Sequence, residues 1–217
     1  MAELFENYTI EDYKLNKEDH MRKINSTIKF LLLALIFFSQ FTLPISNRAF
    51  SQTTSETATE QWSLRQTEIE QLYQEGDLQG ALNIAQEAVS LAEKAFGPAS
   101  LETISSMLLQ AQIHSEMDQL EEANQIYQAA LEKTVSTFGE SDTTTLSVLD
   151  TYGQFLNSID PEMAEPILTE ALRLSENEDP QRAARMKTLG QNFQEMGRIS
   201  EAEEMLSESL KVFQTLV

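Results

Sequence analysis

Two short stretches of the sequence decide the fold: FGPASLET at residues 96–103 and FGESDTTT at residues 138–145, which begin 42 residues apart. In both stretches a Thr stands six positions after the Gly. Ahead of each lies a helical pattern with apolar residues at spacings of three and four. Self-similarity at a fixed period of about 20–50 residues is typical of a repeat architecture rather than of a single globular core.

Two further copies follow with shorter joints. TYGQFL at 151–156 aligns with TLGQNF at 188–193, and AEPIL at 164–168 aligns with AEEML at 202–206. Gly after one helix and Asp before the next predict a helix, a turn and a second helix in each copy. The sequence thus predicts an all-α solenoid of about four helix-turn-helix units over 61–217, with repeats at about 61–99, 100–142, 143–179 and 180–217. The anchor alanines of the four units are spaced by 42, 41 and 38 residues: Ala81, Ala123, Ala164 and Ala202.

These repeats resemble the tetratricopeptide (TPR) family, in the kinesin-light-chain-like subtype with a repeat of about 42 residues. The joint Gly97-Pro98 with Thr103, its counterpart at 139–145, and AEP at 164–166 carry the resemblance. The resemblance implies a right-handed solenoid that binds a protein or peptide partner along a concave wall. One side of the first helix of each repeat would line that wall.

Carrying the lining positions over from the family gives twelve peptide-binding candidates, three for each repeat. At one lining position the four repeats have Glu70, Gln112, Gln154 and Gln191. Side-chain amides can pair with both the N–H and the C=O of an extended peptide. The alternative is that Gln is simply a common, helix-tolerant surface residue. Lys187 is the only cation among the candidates, so we expect an acidic groove that favours a neutral or basic segment. The candidates are Gln66, Glu70 and Tyr73; Leu108, Gln112 and Ser115; Asp150, Gln154 and Asn157; and Lys187, Gln191 and Gln194.

The last helix ends on apolar residues, whereas solenoids normally close with a polar cap. These residues either pack back on the domain or form an exposed end that stacks on a second copy or on another subunit. Phe213 and Leu216 are the candidates for such assembly.

The first 51 residues are interpreted as a targeting segment. Residues 1–20 are a polar extension, read as either an over-extended start before Met21 or a long n-region. Residues 21–51 have basic residues, a nine-residue apolar run and a small-x-small end, which is typical of a secretory signal peptide. The alternative is an uncleaved anchor over about 28–45. Either reading predicts export across a bacterial inner membrane, to the periplasm or beyond, with 52–60 as a flexible leader.

Composition and motifs argue against catalysis. The 217 residues include no Cys, and the formal charge of −20 belongs entirely to the part after residue 51, because the first 51 residues carry six acidic and six basic side chains. Such acidity argues against nucleic-acid binding. The single His after residue 51, His114, is interpreted as a packing spacer, because neither Glu116 nor Asp118 shares its helix face. We therefore predict a non-enzymatic adaptor without cofactor or metal; the alternative is a structural subunit of an envelope complex that docks through its apolar C-terminal helix.

Overall fold

The computed structural model describes residues 52–175 and 180–215, and within these ranges the chain forms eight α-helices and no strand. Consecutive helices pair, and each pair packs on the next, so the predicted all-α solenoid of four helix pairs is confirmed. Within the same ranges, no helix has both the length and the apolar character to cross a membrane. In chain order the helices are α1 Gln52–Glu75, α2 Leu78–Phe96, α3 Leu101–Glu116, α4 Leu120–Phe138, α5 Thr143–Ile159, α6 Pro161–Leu174, α7 Pro180–Glu195 and α8 Ile199–Thr215.

Helix α1 begins at Gln52, so residues 52–60, for which the sequence predicts a flexible leader, are helical. The Thr- and Ser-rich stretch contains neither Gly nor Pro. Once the packed part of a helix exists, each added residue gains a backbone hydrogen bond without a new nucleation cost, so the helix extends through such a stretch. The predicted extension at 1–20 and signal peptide at 21–51, with the alternative anchor at 28–45, lie outside the described residues.

Small residues bring the two helices of each pair close together. The four anchor alanines are at most 3 % exposed. A Cβ on Gly153 would lie 2.5 Å from Cδ2 of Leu168, and one on Gly190 would lie 2.9 Å from Cγ of Leu206. Larger side chains at these positions would therefore push the paired helices apart.

The turns inside the repeats follow the predicted stop and start signals. Gly76 adopts φ +80°, and the Asp77 carboxylate accepts a hydrogen bond from the Gly80 N–H at 2.8 Å, which caps α2. Asp160 caps α6 in the same way, with Pro161 at its first position. In the second repeat a non-glycine residue, Asp118, takes the left-handed conformation, at φ +60°.

The joints between repeats explain why a Thr stands six residues after each Gly. Thr103 Oγ1 donates to the Gly97 carbonyl and Thr145 Oγ1 to the Gly139 carbonyl, both at 2.8 Å, and both Thr side chains are fully buried. The third joint has no such pair. There the Arg182 guanidinium donates to carbonyls at the end of α6, including that of Leu172 at 2.6 Å, so a cation stabilises the helix terminus.

The buried core consists of two clusters. The first joins Trp62 and Ile69 of α1 to the alanines of α2 and to Ile113 of α3. The second runs from Ile104 of α3 through the remaining repeats to Ala202 of α8. Helix α3 thus contributes one face to each cluster and separates the first repeat from the other three.

Candidate functional site

The first helices of the repeats line up along one side of the solenoid. Helix α3 packs against α5, and α5 packs against α7, in addition to the contacts of each helix with its own partner. Second helices of neighbouring repeats do not pack against each other to a comparable extent within the described residues. Because the first helices approach each other more closely, they form the inner side of the curve, where the resemblance predicts the binding wall.

A row of four equivalent residues runs along this side, one from each first helix. The members of the row are Glu70, Gln112, Gln154 and Gln191. The residue before each of them is buried inside its own repeat, and this fixes the direction in which the row points. These preceding residues are Ile69, Ala111, Gly153 and Gly190. Glu70 accepts a hydrogen bond from Gln74 at 3.2 Å. Across residues 52–175 and 180–215 no hydrogen bond engages the side chains of the other three members, of which Gln112 is half-buried and Gln154 and Gln191 are exposed. We call these three residues the amide row.

Several candidates that flank the amide row are used to connect neighbouring repeats. Gln66 donates to Ser106 Oγ at 3.3 Å. Burial, together with the nearby Glu116 carboxylate of the next repeat, raises the pKa of Tyr73 to about 12. Asn157 donates to Glu195 at 3.0 Å and accepts from Asn192 at 2.7 Å. These side chains therefore fix the spacing of the repeats and have less freedom to contact a ligand.

Asp150 is held in a charge pair that the sequence pattern does not reveal. The Arg185 guanidinium, whose side chain is only 7 % exposed, meets the Asp150 carboxylate with Nε–Oδ1 and Nη2–Oδ2 distances of 2.9 and 2.8 Å and also donates to Ser175 Oγ. A small hollow of about 100 Å³ lies beside the pair, with Gln154 and Leu168 among its lining residues. Lys187 is therefore not the only cation on this wall, and the charge of Asp150 is neutralised.

The remaining candidates differ in how far they reach solvent. Leu108 is half-buried against the second core cluster, and Ser115 is half-buried as well. Lys187 and Gln194 are exposed on α7. The wall is thus more open to solvent in the fourth repeat than in the second.

His114 has the structural surroundings expected of a packing residue. It is 8 % exposed, and its Nδ1 lies 2.6 Å from Oε1 of Gln119. Gln119 precedes α4 but makes no capping bond with its side chain. In the described ranges no group of three or more His, Asp or Glu side chains is arranged to hold a metal ion.

A buried aromatic cluster joins the second and third repeats behind the wall. Tyr127 and Tyr152 stack with their ring centroids 5.6 Å apart, and the Phe155 ring lies 4.9 Å from that of Tyr127. The Tyr152 hydroxyl donates to Asn124 Oδ1 at 2.7 Å. Burial raises the pKa of Tyr127 above its usual range and that of Tyr152 to about 12.

The stacked helix pairs and the wall of first helices define a helical-repeat module for protein–protein interaction. The tetratricopeptide repeat family matches residues 69–134. Among solved structures, BtubC (BKLC) from P. vanneervenii has a TM-score of 0.61 at 18% identity, and the alignment covers 71% of this chain and 64% of that one. The nearly identical TPR-like repeats of a Podosopora anserina putative kinesin light chain have a TM-score of 0.58 at 18% identity, covering 76% of this chain and 78% of that one.

Residues 69–134 thus match the tetratricopeptide repeat family, and the fold is that of TPR-like repeats such as those of a kinesin light chain. The chain spans under two thirds of the length of BtubC. No curated protein sequence matches it. TPR repeat proteins are generally non-catalytic scaffolds, and the fold suggests an adaptor for protein–protein interaction.

Proposed function

We propose that this chain is an exported, non-catalytic adaptor that holds an extended peptide segment of a partner protein against its first helices. The observation that carries the proposal is the amide row. Gln112, Gln154 and Gln191 occupy equivalent positions and have unengaged side chains within the described residues, whereas Asn157 beside the row donates to Glu195 of the next repeat.

The chemistry of the amide row suits a peptide backbone. Each side-chain amide carries two N–H donors and a carbonyl acceptor, so it can satisfy both the C=O and the N–H of an extended segment. Such pairing holds the backbone without reading the side chains. Buried bonds between the repeats keep the first helices in place, which lowers the ordering cost of binding.

Electrostatics favour a neutral or basic segment. The part of the chain after residue 51 carries the whole formal charge of −20, and Glu70, Glu116 and Glu195 lie on or beside the wall. A positively charged segment is attracted to such a surface and associates faster with it. Binding to a basic partner should therefore weaken as the salt concentration rises.

The test compares two pairs of glutamines. The double variant Gln112→Ala/Gln154→Ala removes two members of the amide row, and we expect it to bind the partner captured by the wild-type chain about 5- to 100-fold more weakly. The control variant Gln86→Ala/Gln125→Ala alters exposed glutamines on the second helices and should bind as the wild type does. Equal binding by wild type and both variants, in titrations with purified partner, would refute the role of the row.

Export is the second part of the proposal, supported by the basic and apolar pattern of residues 21–51. Cell fractionation should place the chain outside the inner membrane, and sequencing of its N-terminus should begin near Gln52 if the signal is cleaved. An intact N-terminus in the membrane fraction would instead support the anchor at about 28–45. Recovery of the chain from the cytoplasm would contradict both.

A further inference from the structure

The outer side of the last helix carries an exposed apolar stripe. Leu206 is half-buried and lies against Gly190 of α7, whereas Ile199, Leu210 and Phe213 are 53%, 57% and 41% exposed. At 3.6 residues per turn these three exposed positions fall within about 60° of one another around α8. We call them the α8 stripe.

The α8 stripe is the uncovered half of an interface that the molecule builds three times. The position of Leu210 corresponds to Val89, Leu131 and Leu172, of which Leu131 is 1% exposed and the other two are half-buried against the second core cluster. The position of Phe213 corresponds to Ala92, Thr134 and Ser175, which are 0%, 0% and 7% exposed. In those repeats the first helix of the following repeat covers the surface, because α2 packs on α3, α4 on α5 and α6 on α7.

The opposite end of the solenoid presents the other half of the same interface. Leu64 on the outer side of α1 is 62% exposed. The equivalent residues Ser106, Val148 and Arg185, on first helices that do have a preceding repeat, are 1%, 0% and 7% exposed.

The polar neighbours of Leu64 also have equivalent residues in another repeat of the chain. Thr67 and Gln71 correspond to Thr188 and Asn192 of α7, and Asn192 donates to the Pro161 carbonyl of α6 at 2.7 Å. The outer side of α1 therefore resembles a first-helix surface that already packs on a second helix in this chain.

We propose that two copies of this chain associate head to tail, with α1 of one copy on the α8 stripe of the other. Leu64 of one copy would cover Leu210 and Phe213 of its neighbour and remove their apolar surface from water. Phe213 is larger than the residues at its position in the other repeats. The helices of the two copies must therefore lie farther apart at this point than the helices of neighbouring repeats do. A head-to-tail contact does not close on itself, so association continues to short chains as the concentration rises.

Charge opposes this association and gives it a distinct salt dependence. Each copy carries a formal charge of −20, so the copies repel each other at low salt. Screening weakens the repulsion without weakening the apolar contact. Self-association should therefore strengthen between about 0.05 and 0.5 M NaCl, the opposite of the trend expected for a basic peptide on the wall.

Complementation between two variants tests the head-to-tail arrangement. In sedimentation velocity on the full chain as cells produce it, Leu64→Glu and Phe213→Glu should each lower the association constant at least tenfold. An equimolar mixture should recover a complex that stops at one copy of each, because each variant keeps one intact end. The control Ser90→Glu adds the same charge at an exposed position of α2 and should associate as the wild type does.

Every other result overturns the proposal. If Phe213→Glu alone blocks association, the copies pair tail to tail. If neither variant has an effect, another part of the chain holds the copies together. A chain that sediments as a monomer at every concentration and salt, or a mixture that fails to recover, also refutes it. Helical circular dichroism confirms that the variants are folded, which we expect because both side chains are exposed. Leu216, the second assembly candidate, lies outside the described residues.

Discussion

Replacing Asp150 by Asn should weaken the joint between the third and fourth repeats more than any other part of the molecule. The substitution keeps the size of the side chain but removes the charge that faces the Arg185 guanidinium. The Arg185 side chain is only 7% exposed, so its guanidinium gains little hydration when the Asp150 carboxylate is lost. Removing the anionic partner of a cation in such a place is strongly unfavourable.

The expected cost follows from the burial of the two partners. Breaking a fully buried ion pair costs about 3–5 kcal/mol, whereas an exposed pair contributes about 0–1 kcal/mol. The Asp150 side chain is 27% exposed, so the pair lies between these limits but nearer the buried one. We expect Asp150→Asn to cost about 2–3 kcal/mol.

The loss should be local, because each repeat of a solenoid contacts only its neighbours. Hydrogen exchange measured by mass spectrometry should show protection falling about 30- to 150-fold in α7 and α8, the factor that corresponds to 2–3 kcal/mol. Helices α1 and α2 should keep their protection. Urea unfolding should separate into two steps, the first involving the fourth repeat.

A double-mutant cycle separates the energy of the ion pair from the effect of changing either side chain alone. Arg185→Met combined with Asp150→Asn should cost less than the sum of the single changes by about 2 kcal/mol, because both single changes remove the same interaction. Arg65→Met breaks exposed ion pairs with Glu68 and Glu87, whose side chains are 44% and 59% exposed, and serves as the control that changes little. A loss below about 0.5 kcal/mol for Asp150→Asn, or an even loss of protection along the chain, would refute the reasoning.

Two further predictions concern the joints and pH. Thr145→Val should cost about 1–2 kcal/mol, because the Gly139 carbonyl loses its hydroxyl donor, whereas the exposed Thr137→Val should change little. Because burial raises the pKa values of Tyr127 and Tyr152 above the unfolded value of 10.0, stability should be full below pH 10 and fall toward pH 12. Urea midpoints that stay constant across this range, while absorbance shows tyrosinate forming, would exclude that linkage.

Local sequence signals were sufficient for the repeats and their turns. The Thr six residues after Gly97 and Gly139 marks the joint because its hydroxyl bonds to that glycine's carbonyl, a contact within one short stretch of chain. The Asp160-Pro161 start of α6 is equally local. Such features depend on spacing along the chain, which the sequence displays directly.

The connections between repeats depend on how one helix lies against the next, and this the sequence does not display. Arg185 pairs with Asp150 from 35 residues away, so an apparently acidic lining residue is in fact neutralised. Asn157 was likewise expected on the binding wall but donates to Glu195 of the following repeat. The binding of a peptide by the amide row stays a prediction.

Because the core is divided into two clusters, the two ends of the domain should resist a pulling force to different extents. The cluster around Trp62 and Ile69 meets the cluster that holds the other repeats together mainly at helix α3, with Val89 of α2 also packed against the larger cluster. A pulling force applied at the N-terminal end of α1 therefore reaches the smaller cluster first and can detach it while the larger one keeps its shape. Under tension the array would lengthen in steps, beginning with the repeat nearest the pulled end.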